Sequence, residues 1–202
     1  MNDQIITALD FSGTFAFAVS GAMAAADKKF DLFGALFLGF VTAIGGGTLR
    51  DMMLGNTPVA WLHDMRIFYI IVAAVVFTFL FRPTITRYTK ALFLFDTIGI
   101  SVFTIIGLQK GLQVHIHAPV AVMMGVTTAV MGGIIRDVLC NDIPLIFHKE
   151  IYATACLLGG VVFLILYYLQ FTESITVLVA AGSIFIVRSL SVRYHWSLPK
   201  FK

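Results

Sequence analysis

The sequence predicts an all-α polytopic membrane protein, with seven transmembrane helices arranged as an inverted 3+3 repeat plus one extra helix. Composition is the first observation behind this fold class. Of the 202 residues, 59% are hydrophobic and 12% are charged, and the mean hydropathy is +0.93, which is typical of a membrane bundle rather than a soluble core. An internal repeat is the second observation, because a shift of 86 positions superimposes Asp10 on Asp96 and Arg50 on Arg136.

Each predicted span is an apolar run close to the roughly 20 residues that cross hydrocarbon as a helix. The runs do not alternate in polarity, as the strands of a membrane barrel would. We predict spans at about 5–25, 32–53, 66–82, 91–109, 118–139, 150–169 and 173–190. No basic residue precedes the first run and no convincing cleavage site follows it, so we expect no removable signal peptide.

The first and fourth spans share one stripe of residues, and the second and fifth share another. Within each stripe the matched positions lie three and four apart, which places them on one helix face. The first stripe matches Asp10 with Asp96, Gly13 with Gly99, Phe17 with Phe103 and Gly21 with Gly107. The second matches Ala35 with Ala121, Gly39 with Gly125, Thr42 with Thr128 or Ala43 with Ala129, Gly46 with Gly132 and Arg50 with Arg136. The repeat also matches the neighbouring Gly47 with Gly133 and Asp51 with Asp137.

The third and sixth spans complete the two repeats, and the seventh span has no counterpart. We therefore expect one transmembrane domain over 1–202, with repeat one at about 5–82, repeat two at about 91–169 and the seventh helix at about 173–190. Since each repeat crosses the membrane three times, the second copy must run upside down relative to the first, as in many transport proteins.

Basic residues predict the orientation of the chain. With seven spans, eleven of the 14 lysine and arginine residues fall on one side of the membrane. The positive-inside rule then places the amino terminus outside and the carboxyl terminus in the cytoplasm. Those eleven are Lys28, Lys29, Arg82, Arg87, Lys90, Arg136, Lys149, Arg188, Arg193, Lys200 and Lys202. Because these charges report topology, we expect no nucleic-acid partner.

A glycine-rich motif ends the second span at 45–51, and a weaker copy ends the fifth span at 131–137. Each consecutive glycine costs about 1 kcal/mol relative to alanine in a helix. A helix break in hydrocarbon is tolerated only inside protein or along a water-filled cavity, where freed carbonyls attract cations. We therefore predict broken helices lining an ion pathway at Gly45, Gly46, Gly47, Gly132 and Gly133. The alternative is that these glycines only form a tight helix crossing.

Ionisable residues inside the spans predict two charge pairs. The predicted topology places Asp10 and Arg50 at the outer level of the membrane, and Asp96 and Arg136 at the inner level. Buried charges are usually paired, so we expect Arg50 near Asp10 and Arg136 near Asp96. Neighbours in sequence point about 100° apart on a helix, so we expect the following aspartates to lie nearer the mouths rather than to pair. These aspartates are Asp51 and Asp137. The pairs either lock helices together or act in gating and permeation.

The segments GGGTLRDMMLGNTPVAW (45–61) and MGGIIRDVLCNDIPLIF (131–147) resemble bacterial members of the trimeric intracellular cation (TRIC) channel superfamily. The resemblance extends along essentially the whole chain. It implies a homotrimer in the bacterial cytoplasmic membrane, with one pathway per protomer between the second and fifth helices for potassium and, less selectively, sodium. Met131 replaces the first glycine of the second copy, a departure from the full triple glycine of the first.

Three functions remain open on this basis. In a cation channel, hydroxyl oxygens would suit a hard cation; the candidates are Thr42, Thr48, Thr127 and Thr128. Bacterial relatives are also linked to glycine uptake, so a secondary transporter for a small neutral amino acid is the alternative. A structural or lipid-binding protein would instead have a dry, packed interface between helices two and five.

We find no motif of a hydrolase, nucleotide-binding loop or metalloenzyme. We therefore expect no enzymatic activity, no cofactor, and no metal beyond transient K⁺ or Na⁺, with membrane lipid as the other partner. If the protein is voltage-gated, the moving charge would be Arg50 or Arg136.

Overall fold

A computed structural model describes residues 3–88, 91–148 and 151–197. These residues form seven α-helices, which are α1 (Asp3–Asp27), α2 (Leu32–Met53), α3 (Met65–Tyr88), α4 (Ala91–Gln113), α5 (Ala118–Leu139), α6 (Ala153–Tyr168) and α7 (Glu173–Arg193). Two short 3₁₀ turns, Ala60–Leu62 and Leu145–Phe147, follow α2 and α5 at corresponding places in the two repeats. The predicted all-α fold with seven helices is confirmed.

Six of the seven helices are long and apolar enough to cross a membrane, and α6 is the exception. Its 16 residues span about 24 Å at 1.5 Å per residue, less than the roughly 30 Å hydrocarbon core. The predicted span at about 150–169 ends within one residue of this helix but begins before it, and residue 150 lies outside the described residues. Tyr152 precedes the helix in a non-helical conformation, and Gln170 adopts a positive φ of 60° just after it.

Reciprocal contacts between equivalent residues reveal the pseudo-two-fold axis of the repeat. The α-carbon of Gly13 faces the ring of Phe103, and that of Gly99 faces the ring of Phe17. The two phenylalanine rings stack on each other with centroids 5.3 Å apart and planes 16° apart. A contact that repeats with its partners exchanged is what a two-fold relation between the halves requires, so the predicted inverted repeat is present. The orientation of the termini across the membrane stays a prediction.

Small residues also bring α1 onto α2 and α4 onto α5. A β-carbon at Gly21 would collide with Gly39 and Thr42 of α2, and one at Gly107 would collide with their equivalents on α5, Gly125 and Thr128. In lipid, where no hydrophobic force drives helices together, such close backbone approach supplies the van der Waals contact that holds a bundle.

The predicted breaks at the glycine motifs are wrong in this structure. Helix α2 runs without interruption through 45–47, and α5 runs without interruption through 132–133. A β-carbon at Gly46 would overlap the carbonyl oxygen of Thr128, and one at Gly132 would overlap that of Thr42. The glycines thus serve a close crossing of α2 and α5, and unbroken helices keep their backbone groups paired where no water can satisfy them.

The three adjacent glycines of α2 differ in what surrounds them. A β-carbon at Gly46 would overlap backbone, and one at Gly45 would press on the flexible end of Ile135, with the Gly132 α-carbon at an ordinary contact distance of 3.7 Å. One at Gly47 would meet nothing nearer than the Arg50 guanidinium at 3.6 Å. On α7, Gly182 has nothing within 4 Å. Only the middle glycine of the motif is therefore required by packing.

We predict that Gly46→Ala lowers stability by about 3 kcal/mol or more, since a rigid carbonyl cannot yield to the added methyl. Gly47→Ala and the control Gly182→Ala should be neutral or stabilising by up to about 1 kcal/mol through helix propensity. Thermal unfolding of the purified protein in detergent measures all three. Equal midpoints for Gly46→Ala and Gly47→Ala would contradict the close crossing.

Candidate functional site

Each motif arginine pairs with the aspartate that follows it, contrary to the sequence-based expectation. Arg50 Nε and Nη2 donate to Asp51 Oδ1 at 2.9 and 2.8 Å, and Arg136 Nε donates to Asp137 Oδ1 at 2.8 Å. The angle of 100° between neighbours describes only the directions of their β-carbons. An arginine side chain is long enough to fold back onto its neighbour in the last turn of a helix.

The chain after each helix holds the aspartate in place for this contact. Asp51 Oδ2 accepts the backbone N–H of Ala60 at 3.1 Å, and Asp137 Oδ2 accepts that of Leu145 at 2.9 Å. Both donors belong to the 3₁₀ turns, so these turns anchor the carboxylates rather than merely connect two helices.

At the Arg136 end, the predicted contact with Asp96 is present and is fully buried. Arg136 Nη1 lies 2.7 Å from Asp96 Oδ1, and both side chains are 0% exposed. Ser20 Oγ accepts from the same guanidinium nitrogen, and the Tyr152 hydroxyl lies 3.4 Å from Asp96 Oδ1. Two carboxylates, counting Asp137, thus surround one guanidinium, which satisfies the requirement that buried charge be paired.

At the Arg50 end, the predicted pair with Asp10 is absent. Among the described residues Asp10 forms no ion pair, and Arg50 Nη1 has no hydrogen-bond partner. A polar cavity of about 30 Å³ lies here instead, lined by Asp10, Arg50, Asp51 and Thr48 among others. That volume and polarity are sufficient for a water molecule. Lys110 Nζ adds a second cation 3.8 Å from Asp51 Oδ1.

Two substitutions between the repeats explain why the ends differ. The shift of 86 positions places Ile106 opposite Ser20, so Arg50 has no hydroxyl equivalent to the one that holds Arg136. It also places Lys110 opposite Ala24, which adds positive charge only at the Arg50 end. Equal depth in the membrane is therefore not sufficient for an arginine and an aspartate to pair. Arg136 and Asp96 pair because the residues around them support the contact, and Arg50 and Asp10 lack that support.

The stacked rings of Phe17 and Phe103 separate the two charged ends. Along α1, Phe17 lies seven residues from Asp10, and along α4, Phe103 lies seven residues from Asp96. Seven residues correspond to about 10 Å along a helix. Phe103 also forms part of the wall of the cavity at Asp10. An apolar layer therefore divides a polar, partly open end from a sealed one.

The predicted threonines have different surroundings. The hydroxyls of Thr42 and Thr128 are buried and donate to carbonyls of their own helices, Leu38 O and Met124 O, and Thr127 bonds to Met123 O in the same way. Thr48 alone of the four lines the cavity, where its oxygen accepts from the Trp61 indole at 3.1 Å.

Sequence reasoning missed Arg188, which it treated only as a topology signal. This α7 side chain is 1% exposed. Its guanidinium lies 4.4 Å from the ring of Tyr152 and 5.0 Å from that of Phe93, and Nη1 donates to Ile151 O at 2.9 Å. Tyr152 thus connects Arg188 to the Asp96–Arg136 pair. The signal available in the sequence was an arginine within an apolar segment.

Outside the spans, charged residues form pairs near the membrane surface. Lys28 Nζ lies 2.6 Å from Asp142 Oδ1, joining the loops of the two repeats, and this contact raises the pKa of the lysine. Asp64 accepts from Arg66, which lowers the pKa of the Asp64 carboxyl. Across the described ranges, no group of three His, Cys, Asp or Glu residues is arranged to hold a metal ion.

Comparison with known proteins supports this architecture. A family model described as "Glycine transporter" matches residues 7–83 and 93–168. The inner membrane protein YadS of Escherichia coli is 40% identical over 196 residues, covering 96% of this chain and 94% of that one. Among solved structures, a TRIC trimeric intracellular cation channel orthologue from Rhodobacter sphaeroides has a TM-score of 0.89 and 34% identity, covering 95% and 99% of the two chains. A structure of a TRIC cation channel has a TM-score of 0.85 and 36% identity, covering 97% of each chain.

We predict that Asp96→Asn lowers stability by about 3 kcal/mol, the lower end for breaking a buried ion pair because Asp137 still neutralises Arg136. Its equivalent Asp10→Asn should cost less than about 1 kcal/mol, since that carboxylate has no ion pair to lose. Thermal unfolding of both variants in detergent makes the comparison. Equal losses would show that the two ends bury their charge alike and would contradict the asymmetry.

Proposed function

The chain belongs to the bacterial membrane-protein family described as glycine transporter, and we propose that it is a monovalent cation channel of the inner membrane with one ion pathway per protomer. The observation that carries the proposal is the match to two TRIC cation channel structures over nearly the whole chain. The identity of 34–36% places this likeness well above a shared fold alone.

Three layers within the bundle describe the proposed route. An ion would enter at the polar cavity beside Asp10, pass the stacked Phe17 and Phe103 rings, and reach the Asp96–Arg136 pair. The tight contact of Gly46 and Gly132 lies beside this route and stays closed to ions. In this conformation the aromatic layer and the buried pair both block passage, so we infer that the conformation is a closed one.

The oxygens along this route favour a small, hard cation with modest selectivity. Asp10 and Thr48 offer side-chain oxygens at the cavity, and oxygen ligands suit hard cations. Nothing on this route forms a ring of backbone carbonyls, the device that gives tetrameric potassium channels their filter. We propose potassium as the main permeant ion, with sodium passing less readily.

Opening requires the Asp96–Arg136 pair to separate or to move away from the route. Arg136 is a charge inside the membrane, so displacing it across the field couples to voltage by about 2.3 kcal/mol per charge for each 100 mV across the full membrane. Stacked apolar rings can also close a pore by excluding water. We propose that Arg136 provides the voltage-sensitive step and that the Phe17–Phe103 layer excludes water from the closed pore.

A homotrimer surrounded by membrane lipid is the proposed assembly. One of the matched structures is a trimeric channel by its own description. Many exposed large hydrophobic side chains of this chain, Phe33, Phe79 and Leu178 among them, suit contact with lipid or with neighbouring protomers.

A secondary transporter for glycine is the second candidate, favoured by the description of the family model. Inverted repeats suit alternating access as well as they suit a channel. A purely structural role is the third candidate, and the close α2–α5 crossing is what it predicts. Electrical recording and a glycine-uptake assay together distinguish all three.

We predict unitary potassium currents when the purified protein is reconstituted in planar bilayers, with smaller currents in sodium. Saturable glycine uptake into proteoliposomes without unitary currents would favour the transporter. The absence of both ion and glycine flux would favour the structural role.

We predict that Arg136→Gln reduces the steepness with which open probability depends on voltage, because it removes the charge proposed to move. Arg50→Gln is the matched control, since it neutralises the equivalent arginine at the end where the cavity is large enough for a water molecule. Bilayer recording of both variants over a range of voltages makes the measurement. An unchanged voltage dependence in Arg136→Gln would reject its role as sensor.

A further inference from the structure

The buried cation of α7 lies close to the Asp96–Arg136 pair and belongs to no ion pair. Arg188 is 1% exposed, and across the residues that the structure describes no carboxylate lies within ion-pair distance of it. Its neighbours are two aromatic rings and a backbone carbonyl. Because a charge inside the bundle is costly unless something compensates it, its placement points to the charges nearby.

Those charges do not balance among themselves. Asp96 and Asp137 both contact Arg136, so two carboxylates surround one guanidinium and the group carries one excess negative charge. Arg188 supplies a positive charge close to this group, with Tyr152 between them. At low dielectric such charges attract over longer distances than in water, so the cluster and α7 are held together.

Arg188 contacts both aromatic residues that support Asp96. Its guanidinium lies 4.4 Å from the ring of Tyr152 and 5.0 Å from that of Phe93, positions in which a cation is attracted to a ring. The Tyr152 hydroxyl lies 3.4 Å from Asp96 Oδ1. Phe93 precedes Asp96 by three residues, on the same face of α4. A displacement of Arg188 would therefore disturb the surroundings of this carboxylate.

The other end of the bundle has no such support. Ala60 and Leu145 are equivalent because each donates to the aspartate of its motif, which relates the two 3₁₀ turns by a shift of 85 positions. The same shift places Ile67 opposite Tyr152, and Ile67 lines the cavity beside Asp10. The aspartate that faces isoleucine in place of tyrosine is thus the one that does not pair with its arginine.

We propose that Arg188 and Tyr152 are positioning residues that latch the Asp96–Arg136 pair in its closed arrangement. Arg188 holds the tyrosine ring, and the tyrosine hydroxyl donates to Asp96. Since α7 packs against both α4 and α6, the helix outside the repeat controls when this end of the bundle opens. The consequence for conduction rests on the proposed channel function, whereas the latch itself does not.

Cys156 provides a probe of the latch that needs no current. It follows Tyr152 by one helical turn, is 0% exposed, and has Cys140 as the only other cysteine of the chain. In a Cys140→Ser background, the rate at which a small methanethiosulfonate labels the reconstituted full-length protein reports opening of this region. We expect Arg188→Gln and Tyr152→Phe each to raise that rate about tenfold, since each releases Asp96 from one hydrogen bond to a charged group.

The double variant separates a latch from independent packing effects. If Arg188 acts through the Tyr152 hydroxyl, adding Arg188→Gln to Tyr152→Phe should change the rate by less than about twofold, because residues that act in series are not additive. Arg193→Gln is the matched control and should leave the rate unchanged, since this exposed arginine of the same helix also contacts an aromatic ring, that of Tyr194.

Additive effects of the two substitutions would overturn the proposal, as would an unchanged rate in either single variant. If Arg188→Gln does not fold, Arg188→Lys takes its place. It keeps the charge but loses the planar stacking on the ring, so the rate should rise in the same direction and again only where the tyrosine hydroxyl is present.

Bilayer recording tests the consequence for conduction. Both single variants should raise the ratio of open to closed time at zero voltage by about the factor seen in labelling, with unchanged steepness, because Arg136 is retained. An unchanged ratio in a conducting protein would show that labelling reports loosened packing, and would overturn the latch. If the wild-type protein carries no current, the channel proposal fails alone, and the labelling rates still decide the latch.

Discussion

The contact of α2 with α5, in which each helix presents a glycine to a carbonyl of the other, determines where the remaining parts of the bundle lie. Gly46 and Gly132 bring the two backbones together at the pseudo-two-fold axis. Arg50 and Arg136 follow one turn later on each helix. The close crossing therefore places the two guanidinium groups at opposite ends of the bundle, where each requires its own set of anionic partners.

From this symmetric frame, a few side chains produce two unlike ends. Ser20 and Tyr152 join a fully buried cluster around Arg136 and Asp96. At the other end, Lys110 and a polar cavity replace them beside Asp10. The proposed pathway would meet two barriers, the Phe17–Phe103 layer and the Asp96–Arg136 pair. Of these, the barrier of buried, paired charge would respond more to an electric field than the apolar one.

The pattern of small residues allowed the fold to be predicted well, because glycine and alanine stripes have one strong physical meaning in lipid, the close approach of helices. The same glycines misled the prediction of breaks. Adjacent glycines weaken a helix, but their cost is offset when a neighbouring backbone fills the space, and no single sequence shows that neighbour.

The Asp96–Arg136 pair was predictable because the two residues lie at the same depth in the membrane. The equivalent pair of Asp10 with Arg50 does not form. One reason is that Ile106 stands where the other repeat has Ser20, whose hydroxyl holds Arg136, and a prediction from charged residues alone could not include this difference. Arg188 was missed because a basic residue near the end of a span serves topology equally well.

The shared contact between the halves also constrains how such a chain can diverge. At the crossing, the neighbour of each glycine is backbone of the opposite copy, which no substitution can shorten, so both copies must retain a residue without a side chain there. Away from the axis each copy faces different surroundings, and the two are free to drift apart, as Ala24 and Lys110 already have. A half-chain paired with an inverted copy of itself would have two identical ends. Joining the two halves in one polypeptide allows the two ends to differ, so that the two sides of the membrane meet different surfaces of the protein.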